Sequence, residues 1–319
     1  MANVTPGFEL IQTKNSVLLD DVRNLLNSLW SLPADKRYVP CPNPSNLERK
    51  DLPFLHRQEY VHSPKLDGMR LFLLLGATES NDQTYSVFIN RSYQVFPVSL
   101  QARHQELFDG TLLDGEMTRE PSGAYKYTVF DAVTVEGYDL KAFPFSQRKD
   151  AYEGTVKNLE PPSGLILERK VWFPMAFSPQ TWASVQNHCD GLILQPVKGT
   201  LKAGIQRDVF KWKPTQHQTI DFYLSRNGDG IVIMECGHAA DVVHTTGLHC
   251  FYDTEAVSSF VIVQQRQVFE CALNRVQDGK LYFIPVRLRE DKVYANDARV
   301  VISTLEAIQD DINVEELCK

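Results

Sequence analysis

Between Tyr60 and Pro214 the chain is a succession of short runs rich in Val, Leu, Ile, Phe and Tyr, punctuated by Gly, Asp, Asn and Pro. The runs are Arg70–Leu75, Tyr85–Ile89, Gln94–Val98, Thr111–Leu113, Lys126–Val135, Leu165–Phe173 and Leu192–Val197. Few helical patterns intervene, so the sheets here are expected to be largely antiparallel. After Pro214 a second set follows: Thr219–Leu224, Gly230–Glu235, Phe260–Gln264, Val268–Leu273 and Leu281–Leu288, with Arg226-Asn-Gly-Asp-Gly230 as a hairpin signal. Five short strands within roughly 75 residues suit a small closed barrel of the oligonucleotide-binding (OB) type. Helical stripes flank the strands. Leu18–Trp30 places Leu18, Leu19, Val22, Leu25, Leu26, Leu29 and Trp30 on one face, and Ala298–Gln309 repeats Val301, Leu305 and Ile308. Asn313 to Glu316 resembles a capping box, and the Pro- and Asn-rich stretch Tyr38–Asp51 reads as a loop. The expected fold class is therefore α+β: an antiparallel-sheet domain over residues 1–214, then a five-stranded OB-fold barrel with a C-terminal helix over 215–319.

A length of 319 residues also fits about two domains at ~150 residues each. An apolar content of 43% excludes a disordered chain. The charge, 33 − 40 = −7, excludes a basic nucleic-acid coat. The tail Asp297–Lys319 supplies −4 of that total, so a local cationic patch for a nucleic-acid end remains open. Cys41, Cys189, Cys236, Cys250, Cys271 and Cys318 form no CxxC pair, which fits reduced thiols better than a secreted disulfide framework. No basic-then-apolar leader pattern opens the sequence, and the longest apolar run, near Leu71–Gly76, is far short of a membrane span. An intracellular chain without membrane attachment is expected.

The chemistry-bearing residues come in an ordered series. Lys65-Leu-Asp67-Gly68-Met-Arg70 sets a lysine beside an Asp-Gly turn and an arginine. Asn90-Arg91, Asp114-Gly-Glu116, Phe130-Asp131, Asp190-Gly-Leu-Ile-Leu, Phe210-Lys211-Trp-Lys213-Pro and Arg289-Glu-Asp291-Lys292 follow. Each alone has a bland reading. The first is a surface hairpin with charged tips, Asp-Gly pairs are common turns, and Lys-Trp-Lys is an ordinary amphipathic edge strand. Their order and spacing together are not ordinary.

The series resembles the covalent nucleotidyltransferase superfamily of DNA ligases, RNA ligases and mRNA capping guanylyltransferases, and covers Lys65 to Lys292. Within it the chain is most similar to capping enzymes of the compact viral type. The residues that carry this are Asn43-Pro-Ser-Asn-Leu-Glu48-Arg-Lys-Asp51, Asp190-Gly-Leu-Ile-Leu, Phe-Lys-Trp-Lys-Pro214, His217-Gln-Thr-Ile-Asp221-Phe and Arg289-Glu-Asp-Lys-Val-Tyr-Ala-Asn296. The resemblance makes residues 1–214 a GTP-binding nucleotidyltransferase domain. It implies that Lys65 attacks GTP to give a lysyl-N–GMP phosphoramidate and pyrophosphate. The GMP then passes to the 5′-diphosphate end of nascent mRNA.

A free lysine, with a pKa of ~10.4, costs roughly 4.6 kcal/mol to deprotonate at pH 7. Neighbouring cations such as Arg70, Lys211, Lys213 and a bound Mg²⁺ or Mn²⁺ lower that cost. Lys211 and Lys213 alternate by two, so on a strand they share a face, and the resemblance puts both on the α-phosphate. It brings Arg289 and Lys292 to the β- and γ-phosphates with the barrel domain, and Asp291 to the departing pyrophosphate. Glu116 and Asp190 are the candidate metal carboxylates. Asp67 and Asp114 read better as satisfying turn backbone, with Asp67 and Gly68 in the nucleotide-binding turn. The resemblance also implies that Lys170 reads the guanine edge, Phe130 stacks on the base, and Arg91 reaches the ribose or the β-phosphate side; by itself Lys170 reads equally as an exposed strand charge.

Cys236, His238, His244, His249 and Cys250 crowd one region, but their spacing matches no common structural zinc site. No nucleophile elbow, phosphatase Cys-x5-Arg or methyltransferase loop is visible. The RNA triphosphatase and cap methyltransferase steps therefore fall to other chains, at the site of transcription, whether the nucleus or a viral cytoplasmic compartment. Two other readings share the motifs: an ATP-dependent polynucleotide ligase, and an inactive RNA-binding relative. The absence of an N-terminal DNA-clasping domain and the Trp-Lys-Pro ending speak against the ligase. Retention of every expected catalytic side chain speaks against the inactive relative.

Overall fold

The structure is a computed structural model describing residues 8–33, 35–36, 38–78, 83–175, 182, 189–237, 240–241, 249–290 and 292–317. The chain divides into two units. One comprises Met1–Ser45 and Leu55–Lys211, the other Asn46–Phe54 and Trp212–Lys319.

The first unit is built on a seven-stranded sheet. Its main path runs Leu165–Arg169, Tyr125–Val135, Thr111–Arg119, Met69–Ala77, Thr84–Asn90, Val95–Pro97, and Tyr138–Asp139 pairs off the second of these. The central strand Met69–Ala77 is apolar at consecutive positions because both its faces are covered. Leu71, Leu73 and Leu75 pack with Phe88, Tyr127 and Tyr152. Phe72 and Leu74 turn the other way, onto Val22, Leu26 and Trp30 of the helix Ser16–Leu29 and its end. Pairings are antiparallel except that Leu165–Arg169 runs parallel to Tyr125–Val135. That crossover carries the helix Phe145–Lys157.

A second sheet of this unit orders Pro42–Asn46, Gly204–Trp212, Leu192–Pro196, Tyr60–Pro64 and Phe173–Pro174. Two expectations are corrected here. The stretch Tyr38–Asp51 is not all loop, since Pro42–Asn46 pairs as an edge strand. The run Leu165–Phe173 is two strands, because the chain leaves one sheet at Arg169 and joins the other at Phe173. The bland alternative for Lys65, a surface hairpin, does not hold either, since the strands on either side of it lie in different sheets.

Arg148 anchors the helix to the first sheet. Fully buried, it donates from Nε to Asp131 Oδ1 at 2.8 Å and from its second amino nitrogen to Oδ2 at 3.0 Å. Its remaining nitrogen donates to the carbonyls of Phe143 and Gly199 at 2.7 and 2.8 Å.

His62, on the second sheet, is buried against the ring of Phe173, with centroids 5.6 Å apart. Burial outweighs its hydrogen bond to the Pro174 backbone and lowers its pKa to about 4. The unfolded chain, with His near 6.5, then binds more protons than the fold between those values. Stability is expected to be complete above pH 6.5 and to decline as pH falls toward 4. A urea-midpoint series over that window, compared with His62→Gln, checks this. An identical slope in the variant removes His62 as the cause.

The second unit is a nearly closed barrel with helices against it. Its sheet orders Ala240–Asp241, Val232–Cys236, Thr219–Arg226, Gln267–Gln277, Lys280–Leu288 and Cys250–Tyr252, and Val232–Cys236 approaches Cys250–Tyr252 to bring the ends together. The Asn-Gly-Asp-Gly turn joins the first hairpin as expected, with Asn227 Oδ1 accepting from the backbone of Asp229 and Ile231. The expected strand Phe260–Gln264 is irregular instead, and Cys250–Tyr252 takes the remaining place. Ile262 of that segment still enters the core, beside Phe222, Phe269 and Phe283 and the helical residues Val301 and Leu305. The helix Ala298–Asp310 is capped by Asp297, and Asn313 and Glu316 form the reciprocal pair that the sequence implies.

The upstream segment Asn46–Phe54 belongs to this unit by specific bonds. Asn46 Nδ2 donates to Ser303 Oγ at 2.9 Å. Arg49 donates from its backbone nitrogen to Asp310 Oδ2 at 2.6 Å and from its guanidinium to Glu316 Oε1 at 2.5 Å.

Candidate active site

The lysine of the first motif sits where two strands of the second sheet end. Its backbone N–H donates to Gly191 O at 2.8 Å, and its carbonyl accepts from Asp190 N at 3.2 Å. The side chain is about a quarter exposed, and Nζ donates to Asp190 Oδ2 at 2.8 Å. The amine is therefore neither buried nor in bulk water, and it faces a carboxylate that the sequence separates from it by 125 positions.

Gly68 brings the first sheet against this turn. A Cβ there would stand 2.3 Å from Met117 O and 2.9 Å from Thr118 Cγ2, so any larger residue displaces backbone. Its N–H donates to Glu116 Oε1 at 3.1 Å, which fixes the second candidate metal carboxylate. Gly115 is equally constrained, because a Cβ would meet the ring of Tyr127 at 2.5 Å. Asp67 is exposed in the same turn.

Arg70 lies opposite Glu116 across the pair of strands and is clamped by the buried Asp114, from Nε at 2.9 Å and in a second short bond. Burial works to lower its pKa, but the charge and hydrogen bonds of Asp114 prevail and hold the guanidinium above its ordinary range. Asp114 thus corrects its expected role: it lies within a strand and fixes a cation rather than a turn. The Arg70 guanidinium stands 5.4 Å from the centre of the Phe130 ring. Arg91 is exposed in the turn after Thr84–Asn90, and its charge reaches Asp114 and Cys41.

Lys170 is buried, and its ammonium lies 5.6 Å from the centres of both the Phe130 and Trp172 rings. Burial lowers its pKa to about 8, with Glu116 opposing that shift and Lys65 and Arg70 adding to it. The Lys65–Asp190 bond, the Gly68–Glu116 bond, the Arg70–Glu116 strand pairing and the approach of Arg70 and Lys170 to the Phe130 ring gather these residues within the first unit. Lys211 closes that unit on the strand Gly204–Trp212.

Lys213 falls just past the end of that strand and belongs to the second unit, as do Arg289 and Lys292. Trp212 between the lysines is buried and donates from Nε1 to Ile312 O at 2.7 Å. Arg289 donates to both oxygens of the buried Asp221 at 3.2 Å, and Lys292 pairs with the same carboxylate. Asp291 lies outside the described residues, as do His238, His244 and Cys318. Among the described residues no group of three or more His, Cys, Asp or Glu is placed to hold a metal ion.

Sequence reasoning missed Tyr152 and the partners of Arg70 and Arg148. The carboxylate inside the apolar run at Phe130-Asp131 was the available signal for the last of these, because a buried charge requires a partner.

Two carboxylates, an amine-bearing turn and a buried cation beside an aromatic face make an arrangement suited to a nucleotide and its phosphates. The family described as "mRNA capping enzyme, catalytic domain" matches residues 1–215, and the chain belongs to that family. The mRNA-capping enzyme subunit alpha of Schizosaccharomyces pombe is 24% identical over 94% of this chain and 84% of its own length. That of Saccharomyces cerevisiae is 28% identical over 69% of this chain and 54% of its own. The mRNA-capping enzyme of Danio rerio is 25% identical over 64% of this chain, which spans 38% of the fish protein. All three are eukaryotic rather than of the viral type. Among solved structures, mycobacterial DNA ligase D complexed with ATP and MES aligns with 79% of this chain and 94% of its own. The two are 16% identical, with a TM-score of 0.44.

Proposed function

We propose that the chain is an mRNA guanylyltransferase that carries GMP on Lys65. The observation that supports this most directly is the placement of the Lys65 amine, on a side chain about a quarter exposed and 2.8 Å from Asp190, in the neighbourhood of Glu116, Arg70 and Lys170. In the first step the Nζ lone pair attacks the α-phosphorus of GTP. A P–N bond forms, the bond to the β-phosphate oxygen breaks, and pyrophosphate leaves. In the second, an oxygen of the RNA 5′-diphosphate attacks the same phosphorus, the P–N bond breaks, and the lysine is regenerated.

Asp190 and Glu116 are hard oxygen donors of the kind Mg²⁺ or Mn²⁺ takes. Two carboxylates suffice when phosphates and water complete the shell. Such an ion would neutralise charge gathering on the phosphates. At rest Asp190 Oδ2 accepts from the Lys65 ammonium, which must release a proton to solvent before its nitrogen can attack; Asp190 and Glu116 would be the residues that hold such an ion. Phe130 offers a face to the base, Lys170 a donor to its edge, and Lys211 and Lys213 charge to the α-phosphate. The 5′ end needs only a local cationic track. Among the described residues no helix is long and apolar enough to cross a membrane.

The test is retention of label after denaturation, with divalent metal and either α-labelled GTP or α-labelled ATP. Label from GTP alone is expected. Label from ATP alone transfers the chain to the ligases, and none from either makes it an inactive relative.

Arg289 and Lys292, held by Asp221, are assigned to the β- and γ-phosphates, which are present only in the first step. Arg289→Ala is accordingly expected to slow formation of enzyme–GMP more than transfer of GMP to RNA. Single-turnover rates for the two steps check this, and equal losses overturn the assignment.

A further inference from the structure

A lysine that discriminates between bases must hold its ammonium in one place. Its four-carbon stem resists that, because ordering it costs up to about 2 kcal/mol of rotamer entropy. A salt bridge ordinarily supplies the restraint. Among the described residues no carboxylate lies within salt-bridge distance of Lys170. What surrounds its ammonium is two aromatic faces, Phe130 and Trp172, each centred 5.6 Å away and so within cation–π range. This restraint attracts the charge without occupying its N–H donors, which stay available to a carbonyl oxygen.

The two rings are not equally fixed. Trp172 lies where the chain passes from one sheet to the other, and three bonds pin that crossing. Lys170 N donates to Val129 O at 2.7 Å, Ser63 Oγ donates to Val171 O at 2.8 Å, and Trp172 Nε1 donates to Tyr152 Oη at 3.0 Å. The indole also meets Phe145 edge-on at 5.0 Å. Tyr152 and Phe145 both belong to the helix Phe145–Lys157 and are fully buried. Arg148, on the same helix, is locked to Asp131, the residue following Phe130. One helix therefore fixes the indole directly and is bonded to the strand that carries Phe130.

We propose that Trp172, anchored by the Tyr152 hydroxyl, is the positioning residue that sets Lys170 for base discrimination, so that GTP is preferred to purine nucleotides lacking the 6-oxo group. This rests on the reading of Lys170 as the base-edge donor.

The test compares formation of covalent enzyme–nucleotide from GTP and from 2-aminopurine riboside triphosphate, which lacks O6, in the full chain. A charge-assisted hydrogen bond, as the wild type makes to O6, gives roughly tenfold or greater preference for GTP. Trp172→Leu is expected to cut that preference about tenfold, chiefly through KM for GTP, while Trp172→Phe recovers part of it. Tyr152→Phe, which removes one oxygen from a packed site, is expected to cut it about threefold, a share of the same bond. In a Lys170→Met background neither change is expected to alter the preference further.

Equal slowing of both nucleotides in Trp172→Leu and Tyr152→Phe would overturn the proposal, since a merely structural role acts on both alike. So would an unchanged preference in both variants. If the wild type takes no label, or Lys170→Met keeps the full preference, the underlying reading of the site fails instead and the inference falls with it.

Discussion

Lys65→Ala protein incubated with α-labelled GTP and divalent metal is expected to hold no label after denaturation, a loss of at least roughly 10³-fold. Without the amine there is no lone pair to form the phosphoramidate. Lys65→Arg is expected to be equally inert, because a guanidinium keeps the charge but is not deprotonated in proteins. Neither change should unfold the chain. The side chain is about a quarter exposed, and the Asp190 carboxylate left behind is similarly exposed and open to water. Thermal midpoints close to that of the wild type are therefore expected alongside complete loss of labelling. Persistent label would move the nucleophile elsewhere, and a collapsed midpoint would make Lys65 a structural residue.

The largest effect on stability is expected at Arg148. Replacing it by Met leaves the Asp131 carboxylate buried without its bidentate partner and removes the donor to two carbonyls. Breaking a buried ion pair from one side costs about 3–5 kcal/mol, a large part of a domain's stability. Asp131→Leu on that background removes the stranded charge and is expected to return part of the loss. The Phe143 and Gly199 carbonyls stay unsatisfied, so recovery is incomplete. Urea unfolding of the single and double variants measures both. A loss below about 1 kcal/mol for Arg148→Met would show that water or a rearranged partner replaces the guanidinium.

The sequence made the chemistry legible before the geometry. Lys65, Glu116 and Asp190 are recognisable because their neighbours have fixed types at fixed positions, and glycine at 68 and 115 follows from close approach of neighbouring atoms. The strands of the central sheet were legible because Leu71–Leu75 and Val87–Ile89 are apolar without a break. The break at Lys170 was not, because no Gly, Pro, Asn or Asp marks a turn between Leu165 and Phe173. Only the presence of two sheets, drawing on the two halves of that run, explains the split. Phe260–Gln264 misled for a related reason: alternation says that Ile262 faces a core, not that its backbone is paired. An Asp-Gly pair usually marks a turn, and only the pairing of its strand with Met69–Ala77 places Arg70 beside Asp114. The partners of Arg148 lie 17 and 51 positions away, beyond the reach of any local pattern.

The segment around Arg49 has a consequence for biosynthesis. It leaves the ribosome 267 residues before Glu316, the acid that its guanidinium grips. During translation that stretch must wait, solvated, until the helix Val314–Leu317 emerges. A chain cut short before Glu316 would therefore leave Arg49 without that partner.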